Sequence, residues 1–145
     1  MAEELPMILS YAPTKEVEVP ENWTIECNHS FSSDSELILA DFHQPGETMI
    51  NGFTMLERGW EIDVKEQRYF LGSQYHATAT IEQQDRIPPE WIRYHLVFLG
   101  TIWRDPKDSR FMVVLEWNAI KWQSRLARLD DRWFRDTRLV RVMPY

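Results

Sequence analysis

A group of arginines near the C-terminal end of the sequence has the spacing and the chemistry to bind phosphate. Separations of three, four and three residues predict one stripe along a helix. A guanidinium group is planar, permanently charged and able to contact phosphate through two hydrogen bonds. The stripe consists of Arg125, Arg128, Arg132 and Arg135. Because Trp133 and Phe134 lie among these arginines, and aromatic rings stack on unpaired bases, the pattern favours a single-stranded nucleic acid such as RNA.

Further basic residues could extend this contact. Lys121 precedes the stripe, and the segment "RDPKDSR" carries three more bases at the predicted tip of a hairpin. These three bases are Arg104, Lys107 and Arg110. An alternative remains open, in which neighbouring acids hold the arginines in a solvated network of ion pairs. The acids concerned are Asp130, Asp131 and Asp136.

The arginine-rich segment also predicts the main helix of the chain. Its large apolar residues are separated by four, three and four positions, which places them on one helix face. These residues are Trp122, Leu126, Leu129 and Trp133. Asn118 is a suitable N-cap for such a helix. We therefore expect a helix near the C-terminus, with both tryptophans facing the core.

The rest of the chain predicts mostly antiparallel strands, because apolar and polar residues alternate between turn signals. "NWTIECNHSF" and "ELILADF" indicate one hairpin, and "FTMLER" between Gly52 and Gly59 indicates a short strand. "RYFLGSQYHATATIEQ" also alternates. "WIRYHLVFLGTIWRD" and "RFMVVLEW" indicate a second hairpin around the turn "DPKDS", and "TRLVRVMPY" predicts a final strand that Pro144 ends.

A seven-residue motif occurs twice in these predicted strands, as "YFLGSQY" and as "VFLGTIW". Each copy holds a glycine, Gly72 in the first and Gly100 in the second. A glycine inside a strand is typical of a bulge, a sharp bend or a close approach of two backbones. Neither copy has the glycine cluster of a phosphate-binding loop. We interpret the repeat as a device that bends the sheet.

These patterns together predict an α+β fold. We expect a predominantly antiparallel, strongly bent β-sheet or partial barrel with one main helix near the C-terminus. A chain of 145 residues is most simply one domain covering residues 1–145. Residues 1–20 could form an extended arm, because they contain Pro6, Pro13 and Pro20.

The residue types that usually carry out catalysis are not grouped here. Cys27 and His29 would share a strand face, but a zinc site needs three or four ligands and the sequence has one cysteine. Glu57, Glu61 and Asp63 could hold a metal or act as acid and base, yet such a run is more typical of a solvated turn. We expect no catalytic residues, no metal and no cofactor.

The charge is unevenly distributed along the chain. The formal net charge is −7. Residues 1–66 hold fourteen acids and three bases, whereas residues 67–145 hold nine acids and thirteen bases. This asymmetry permits a basic side that meets RNA and an acidic side that meets basic protein neighbours.

Aromatic residues are abundant, with seven tryptophans and seven phenylalanines. Tryptophan is enriched at the centres of protein interfaces. We expect some of these side chains to contact a partner, and the candidates are Trp60, Trp91, Trp103, Trp133 and Phe134. A ligand-binding barrel would also use aromatic residues, so the alternative of a free-standing small β-barrel for a ligand or peptide stays open.

Nothing in the sequence predicts export or membrane insertion. No apolar run approaches the roughly 20 residues of a membrane helix, and the first residues are acidic rather than basic. We therefore expect a cytoplasmic protein.

Three stretches together resemble a known family. They are "GFTMLERG", "WIRYHLVFLG" and "WFRDTRLVRV", preceded by "SELILADF". In this order they resemble the small accessory, Csx-type subunit of type III-D CRISPR–Cas effector complexes, which serve antiviral defence in prokaryotes. The resemblance implies a non-catalytic subunit of a ribonucleoprotein built on a guide RNA. It would contact the large polymerase-like subunit and the backbone subunits, and the backbone subunits would cleave the target RNA.

Two other functions remain possible on the residues alone. The first is the free-standing β-barrel binding module. The second, which fits less well, is a small metal-dependent hydrolase or nuclease that uses Glu57, Glu61, Asp63 and a histidine.

Overall fold

The structure is a computed structural model that describes residues 5–13, 15–65 and 68–145. It has an α+β fold with ten strands, two α-helices and two short 3₁₀ segments in the described residues. The strands are β1 (Met7–Leu9), β2 (Thr24–Asn28), β3 (Ser35–Ala40), β4 (Met49–Asn51), β5 (Phe70–Leu71), β6 (His95–Arg104), β7 (Arg110–Trp117), β8 (Trp122–Arg128), β9 (Arg132–Phe134) and β10 (Thr137–Pro144). The helices are α1 (Gly52–Lys65) and α2 (Gln74–Glu82), and the 3₁₀ segments are Gln84–Arg86 and Pro89–Arg93.

Eight strands form one mixed sheet, and six of them follow one another in the order β1-β3-β10-β6-β7-β8. All its ladders are antiparallel except the one between β6 and β10, which is parallel. β2 pairs with β6 and β5 pairs with β10, beside this main path. Among the described residues no ladder joins β1 to β8, so the sheet is open and does not close into a barrel.

The sheet carries a packed layer on each side. On one side, which we call the α1 face, Met55 and Leu56 of α1 cover Val97 of β6 and Val114 of β7. The short ribbon of β4 and β9 completes this layer with Trp133. On the other side, the α2 face, residues such as Ala77 and Trp91 pack on Phe98 and Leu115. β6 is therefore buried on both faces. The residues at its two ends are held in place by this buried strand.

The two glycines of the repeated motif, Gly72 and Gly100, lie against each other. The N–H of Gly100 donates to the carbonyl of Gly72 at 2.6 Å, and the N–H of His29 donates to the carbonyl of Gly100 at 2.9 Å. A Cβ atom at Gly100 would lie 2.3 Å from the carbonyl oxygen of Leu71. The pairing of β6 with β7 shifts register here, between Phe98 and Trp103. The repeat thus provides a close backbone approach at an irregularity of β6, one of the three roles that the sequence allowed.

The strand predicted over "RYFLGSQYHATATIEQ" was wrong for most of its length. Only Phe70–Leu71 forms a strand, and α2 begins four residues after Phe70. Ser73 caps α2, and its N–H donates to Nδ1 of His76 at 3.0 Å in a capping box. Thr80 donates its hydroxyl to the carbonyl of His76 at 2.7 Å. These local bonds stabilise a helix in a segment whose residue types alternate as in a strand.

The short strand predicted at 53–58 was also wrong, because this segment lies inside α1. Gly52 and Gly59 do not bracket a strand but mark where the helix touches the rest of the α1 face. A Cβ at Gly52 would lie 1.7 Å from the carbonyl oxygen of Leu129, and one at Gly59 would lie 3.0 Å from a methyl group of Leu139.

The helix predicted near the C-terminus is absent from the described residues there, and β8, a turn and β9 occupy its place. Trp122 and Leu126 are four positions apart, a spacing that also puts two residues on the same side of a strand. The prediction that Trp122 and Trp133 are buried is confirmed. Asn118 caps a turn instead of a helix, since its side-chain oxygen accepts from the N–H groups of Ile120 and Lys121 at 3.0 and 2.9 Å.

The hairpin of β6 and β7 and the final strand β10 are confirmed. The aspartate at the start of the turn accepts two backbone hydrogen bonds, from the N–H of Lys107 at 3.0 Å and from the N–H of Ser109 at 2.8 Å, both to the carboxylate of Asp105. The first predicted hairpin was wrong, because β2 pairs with β6 whereas β3 pairs with β1 and β10. Of the predicted arm, residues 1–4 and 14 lie outside the described residues, and Met7–Leu9 forms β1.

Neither helix of the described residues combines the length and the apolar character needed to cross a membrane.

Candidate functional site

The four arginines of the predicted stripe do not share one surface. Arg125 and Arg128 belong to β8, and since side chains alternate along a strand, an odd separation puts them on opposite faces. Arg125 pairs across the sheet with Val114 on the α1 face, whereas Arg128 pairs with Phe111 on the α2 face. Arg132 lies on β9, and Arg135 follows that strand. The stripe is therefore divided by the sheet.

Two of these arginines form ion pairs within the chain. Both nitrogens of the Arg128 fork donate to the carboxylate of Asp130 at 3.0 Å. Nε of Arg125 donates to Glu116 at 3.0 Å. The alternative interpretation, a network of surface ion pairs, thus describes Arg128 well, because Nε and Nη2 of its guanidinium group both donate to a carboxylate two residues away.

The other two arginines are available. Among the residues that the structure describes, Arg132 and Arg135 form no ion pair, and both are exposed. Phe134 lies between them in sequence and is 56% exposed. An exposed aromatic ring close in sequence to two arginines that form no ion pair suits a single-stranded nucleic acid, since bases stack on rings and phosphates need a positive charge.

A small concavity of about 150 Å³ lies beside this segment, at the end of the sheet where β6 begins. We call it the basic cleft. It is lined by His95, Arg125, Arg132, Trp133, Phe134, Asp136 and Thr137. The ring of His95 lies between two carboxylates, with Nδ1 3.2 Å from Glu116 and Nε2 3.4 Å from Asp136. Glu116 and Asp136 offset part of the positive charge, and Arg132 is the lining arginine that forms no ion pair among the described residues.

The ribbon of β4 and β9 holds the basic cleft in shape. Trp133 and its partner Ile50 point into the core, whereas Phe134 and its partner Met49 face solvent. Nε2 of His43 donates to the carbonyl oxygen of Trp133 at 3.1 Å, and Nδ1 of the same buried ring lies 3.1 Å from Asp41. The backbone of β9 is therefore held by His43 and by the buried Trp133 ring, and this fixes the position of Phe134 on the solvent side.

The basic residues of the hairpin tip lie far from the basic cleft, at the opposite end of β6. Glu26 forms ion pairs with both Arg104 and Arg110, and Nε of Arg110 donates to its two oxygens at 3.1 and 2.9 Å. These arginines, Arg110 most strongly, hold the pKa of Glu26 below its usual range. Asp108 adds a second acid, 3.0 Å from Arg104. At the tip, only Lys107 is exposed without an ion pair among the described residues.

A larger concavity, of about 610 Å³, lies between α1 and the strands near the hairpin tip. We call it the α1 groove. It is lined by Glu26, Cys27, Phe53, Leu56, Glu57, Trp60, Ile102 and Arg110. Burial raises the pKa of the Cys27 thiol, and the neighbouring Glu26 raises it further, so that Cys27 is not an activated nucleophile.

The predicted carboxylate cluster is divided by the helix. Glu57 faces the α1 groove, whereas Asp63 accepts from the N–H of Leu71 at 2.9 Å and pairs with Arg141 at 3.3 Å. Burial raises the pKa of Asp63, although Arg141 opposes that shift. Within the described ranges, no three histidine, cysteine or acidic side chains are grouped to hold a metal ion.

The predicted interface residues fall into two groups. Trp91, Trp103 and Trp133 are buried in the core of this chain, and their rings are covered by its own residues. Trp60 and Phe134 are half exposed and line the α1 groove and the basic cleft, respectively. Sequence reasoning missed Phe53 and His95. A helical interpretation of residues 52–65 would have placed Phe53 and Trp60, seven positions apart, on one face.

Comparison with known proteins found no match to this chain among family models, curated proteins or solved structures.

Proposed function

We propose that the protein is a non-catalytic, RNA-contacting subunit of an RNA-guided CRISPR effector ribonucleoprotein. The observation that carries the RNA contact is the exposed ring of Phe134, which lies in the chain between Arg132 and Arg135, two exposed arginines that form no ion pair among the described residues. The resemblance of three sequence stretches to the small subunit of type III-D complexes supplies the wider assignment. A complex of this kind works in the cytoplasm, which we propose as the location.

In this proposal the RNA strand runs across the outer side of the β4–β9 ribbon. A base stacks on Phe134, and the adjacent phosphates contact Arg132 and Arg135. Arg125 lines the same cleft and supports this contact, although Glu116 shares its charge. Such a site reads the backbone and the exposed face of a base, and so it tolerates many sequences, which suits guide RNAs of varied sequence.

RNA binding by the purified chain tests the contact. Fluorescence anisotropy with a labelled single-stranded RNA of about twelve nucleotides measures the affinity of the wild type, Arg132→Glu and Arg128→Glu. We expect Arg132→Glu to weaken binding about tenfold, because it replaces a phosphate contact with a repelling charge. Arg128→Glu is the matched control, since Arg128 lies on the opposite face and is held by Asp130. Equal losses in the two variants would contradict the proposal.

Purification from the native host tests the wider assignment. Tagged protein is isolated with and without ribonuclease, and the retained chains and RNAs are identified by mass spectrometry and sequencing. We expect a fixed set of large subunits together with short RNAs of uniform length. A lone 17.4 kDa chain without RNA would rule out the effector-subunit assignment.

A further inference from the structure

The α1 groove already contains one guanidinium group placed between a carboxylate and an aromatic ring. Arg110 donates to Glu26 at 2.9 Å, and its guanidinium carbon lies 6.0 Å from the centre of the Phe53 ring. Both features favour a cation: the carboxylate through charge, and the ring through the negative potential of its face.

A second carboxylate and a second aromatic ring line the groove, and no cation of the described residues is paired with them. Trp60 lies seven positions after Phe53 on α1, and Glu57 lies between them on the exposed side of the helix. Glu57 forms no ion pair among the described residues. The ring of Trp60 is half exposed, and indole binds cations better than the other aromatic side chains do.

The surroundings select the ligand further. Leu56 and Ile102 provide an apolar floor, and about 610 Å³ is enough for a side chain together with its neighbours in a peptide. Glu57, which forms no ion pair among the described residues, makes this rim negative, whereas the Arg110–Glu26 pair is internally neutral. A neutral aromatic ligand would leave this negative rim unmatched.

β2, which supplies Glu26 and Cys27 to the groove, pairs with β6 and with no other strand of the described residues. An extended segment can therefore lie along its open edge while its side chains enter the groove.

We propose that the α1 groove binds an arginine side chain that a partner protein presents on an extended segment. The guanidinium group lies on the ring of Trp60 and pairs with Glu57, as Arg110 does with Phe53 and Glu26. The flanking apolar residue of the segment packs on Leu56 and Ile102. This inference goes beyond the RNA contact and does not depend on it, because the basic cleft lies at the other end of β6.

The experiment uses the full chain labelled with ¹⁵N at its seven tryptophans, whose indole N–H signals report on each ring separately. The signal that Trp60→Phe removes belongs to Trp60. The probe is acetyl-Gly-Leu-Arg-Leu-Gly-amide, and the control probe has citrulline in place of arginine, which keeps the shape and removes the charge. The titration extends to about 10 mM peptide, since a single side chain binds weakly.

We expect the arginine peptide to shift the Trp60 signal selectively, and the citrulline peptide to bind about fivefold more weakly. Glu57→Gln should lower the affinity for the arginine peptide about threefold. The matched controls, Glu82→Gln on α2 and Phe134→Ala in the basic cleft, should leave it unchanged. Equal binding of the two peptides, no shift of Trp60, or a stronger response of Trp60 to adenosine than to the arginine peptide would overturn the proposal.

Discussion

The basic cleft and the α1 groove lie on the same face of one sheet, at opposite ends of β6, and they differ in what their arginines contact. At the groove, Arg104 and Arg110 converge on Glu26, so that most of their charge is satisfied within the chain. At the cleft, Arg132 forms no ion pair among the described residues, and neither does Arg135, which follows β9. Whether an arginine is paired within the chain therefore depends on the acids that the fold brings to it, and not on its spacing in sequence.

Disruption of β6, which carries both sites, should have the largest effect. Gly100→Ala would place a Cβ 2.3 Å from the carbonyl oxygen of Leu71, a backbone atom that cannot move aside easily. We expect a loss of at least about 3 kcal/mol in the free energy of unfolding, measured by urea denaturation, together with loss of binding at both sites.

The control for this change is Gly59→Ala, where the nearest atom, at 3.0 Å, is the methyl group of a side chain that can rotate. We expect the stability of that variant to stay within about 1 kcal/mol of the wild type. If Gly100→Ala were as stable as Gly59→Ala, the close approach of the two glycines would not be a requirement of the fold.

Acid should weaken the fold from the α2 face, away from both sites. Burial lowers the pKa of His76 from 6.5 to about 4. Well above pH 6.5 the ring is neutral in the folded and unfolded chains, so stability is unaffected. Between pH 6.5 and 4 only the unfolded chain takes up the proton, and stability falls by up to about 3 kcal/mol.

Urea denaturation at a series of pH values measures this loss. His76→Asn removes the titrating group, and we expect a smaller decrease in stability across the same pH window, from a lower starting value because the capping box is weakened. An unchanged pH dependence in that variant would show that another group is responsible. Binding at the two sites is therefore compared above pH 6.5, where His76 does not contribute.

Two phenylalanines allow the contribution of base stacking to be compared between the sites, because Phe134 and Phe53 are similarly exposed and lie in different sites. We expect Phe134→Ala to weaken the binding of single-stranded RNA about tenfold, since stacking of one base contributes about 1–3 kcal/mol. Phe53→Ala should leave RNA affinity within about twofold of the wild type. Anisotropy measures both, and an equal loss for the two variants would mean that stacking does not distinguish the sites.

The smallest expected effect comes from releasing the arginines at the α1 groove. Glu26→Gln removes the carboxylate that binds Arg104 and Arg110. The hairpin tip then becomes a positive surface like the basic cleft. We expect RNA affinity at low salt to rise about two- to threefold, and this gain to disappear as salt screens the charges. A fall in affinity would show that Glu26 does not restrain these arginines.

Sequence reasoning succeeded where local chemistry decides the structure. The turn at Asp105–Ser109 and the strands on either side follow from proline, aspartate and β-branched residues, which act over a few positions. Sequence reasoning failed at α1, because Gly52 and Gly59 were interpreted as the residues that bound a short strand. Their role is a close contact with Leu129 and Leu139, far along the chain, which no local pattern displays.

The candidate site was predicted only in its residue types. Arg132, Arg135 and Phe134 were recognised as suitable for RNA, but the helix meant to align them is β8, a turn and β9. Which arginines pair with Glu116 or Asp130 depends on strand register and on the path of the turn. These are tertiary features, so a spacing rule could not separate Arg128 from Arg132.

The salt dependence of RNA binding shows which arginines contact the RNA. Affinity is measured over a range of salt concentrations for the wild type, for Arg132→Gln with Arg135→Gln, and for Arg104→Gln with Arg110→Gln. Each phosphate contact with a single strand contributes about 0.7 to the slope of log affinity against log salt. We predict that the first pair of changes flattens the slope by about 1.4 and that the second leaves it unchanged. The opposite result, a slope that only the second pair flattens, would place the RNA at the hairpin tip and contradict the account.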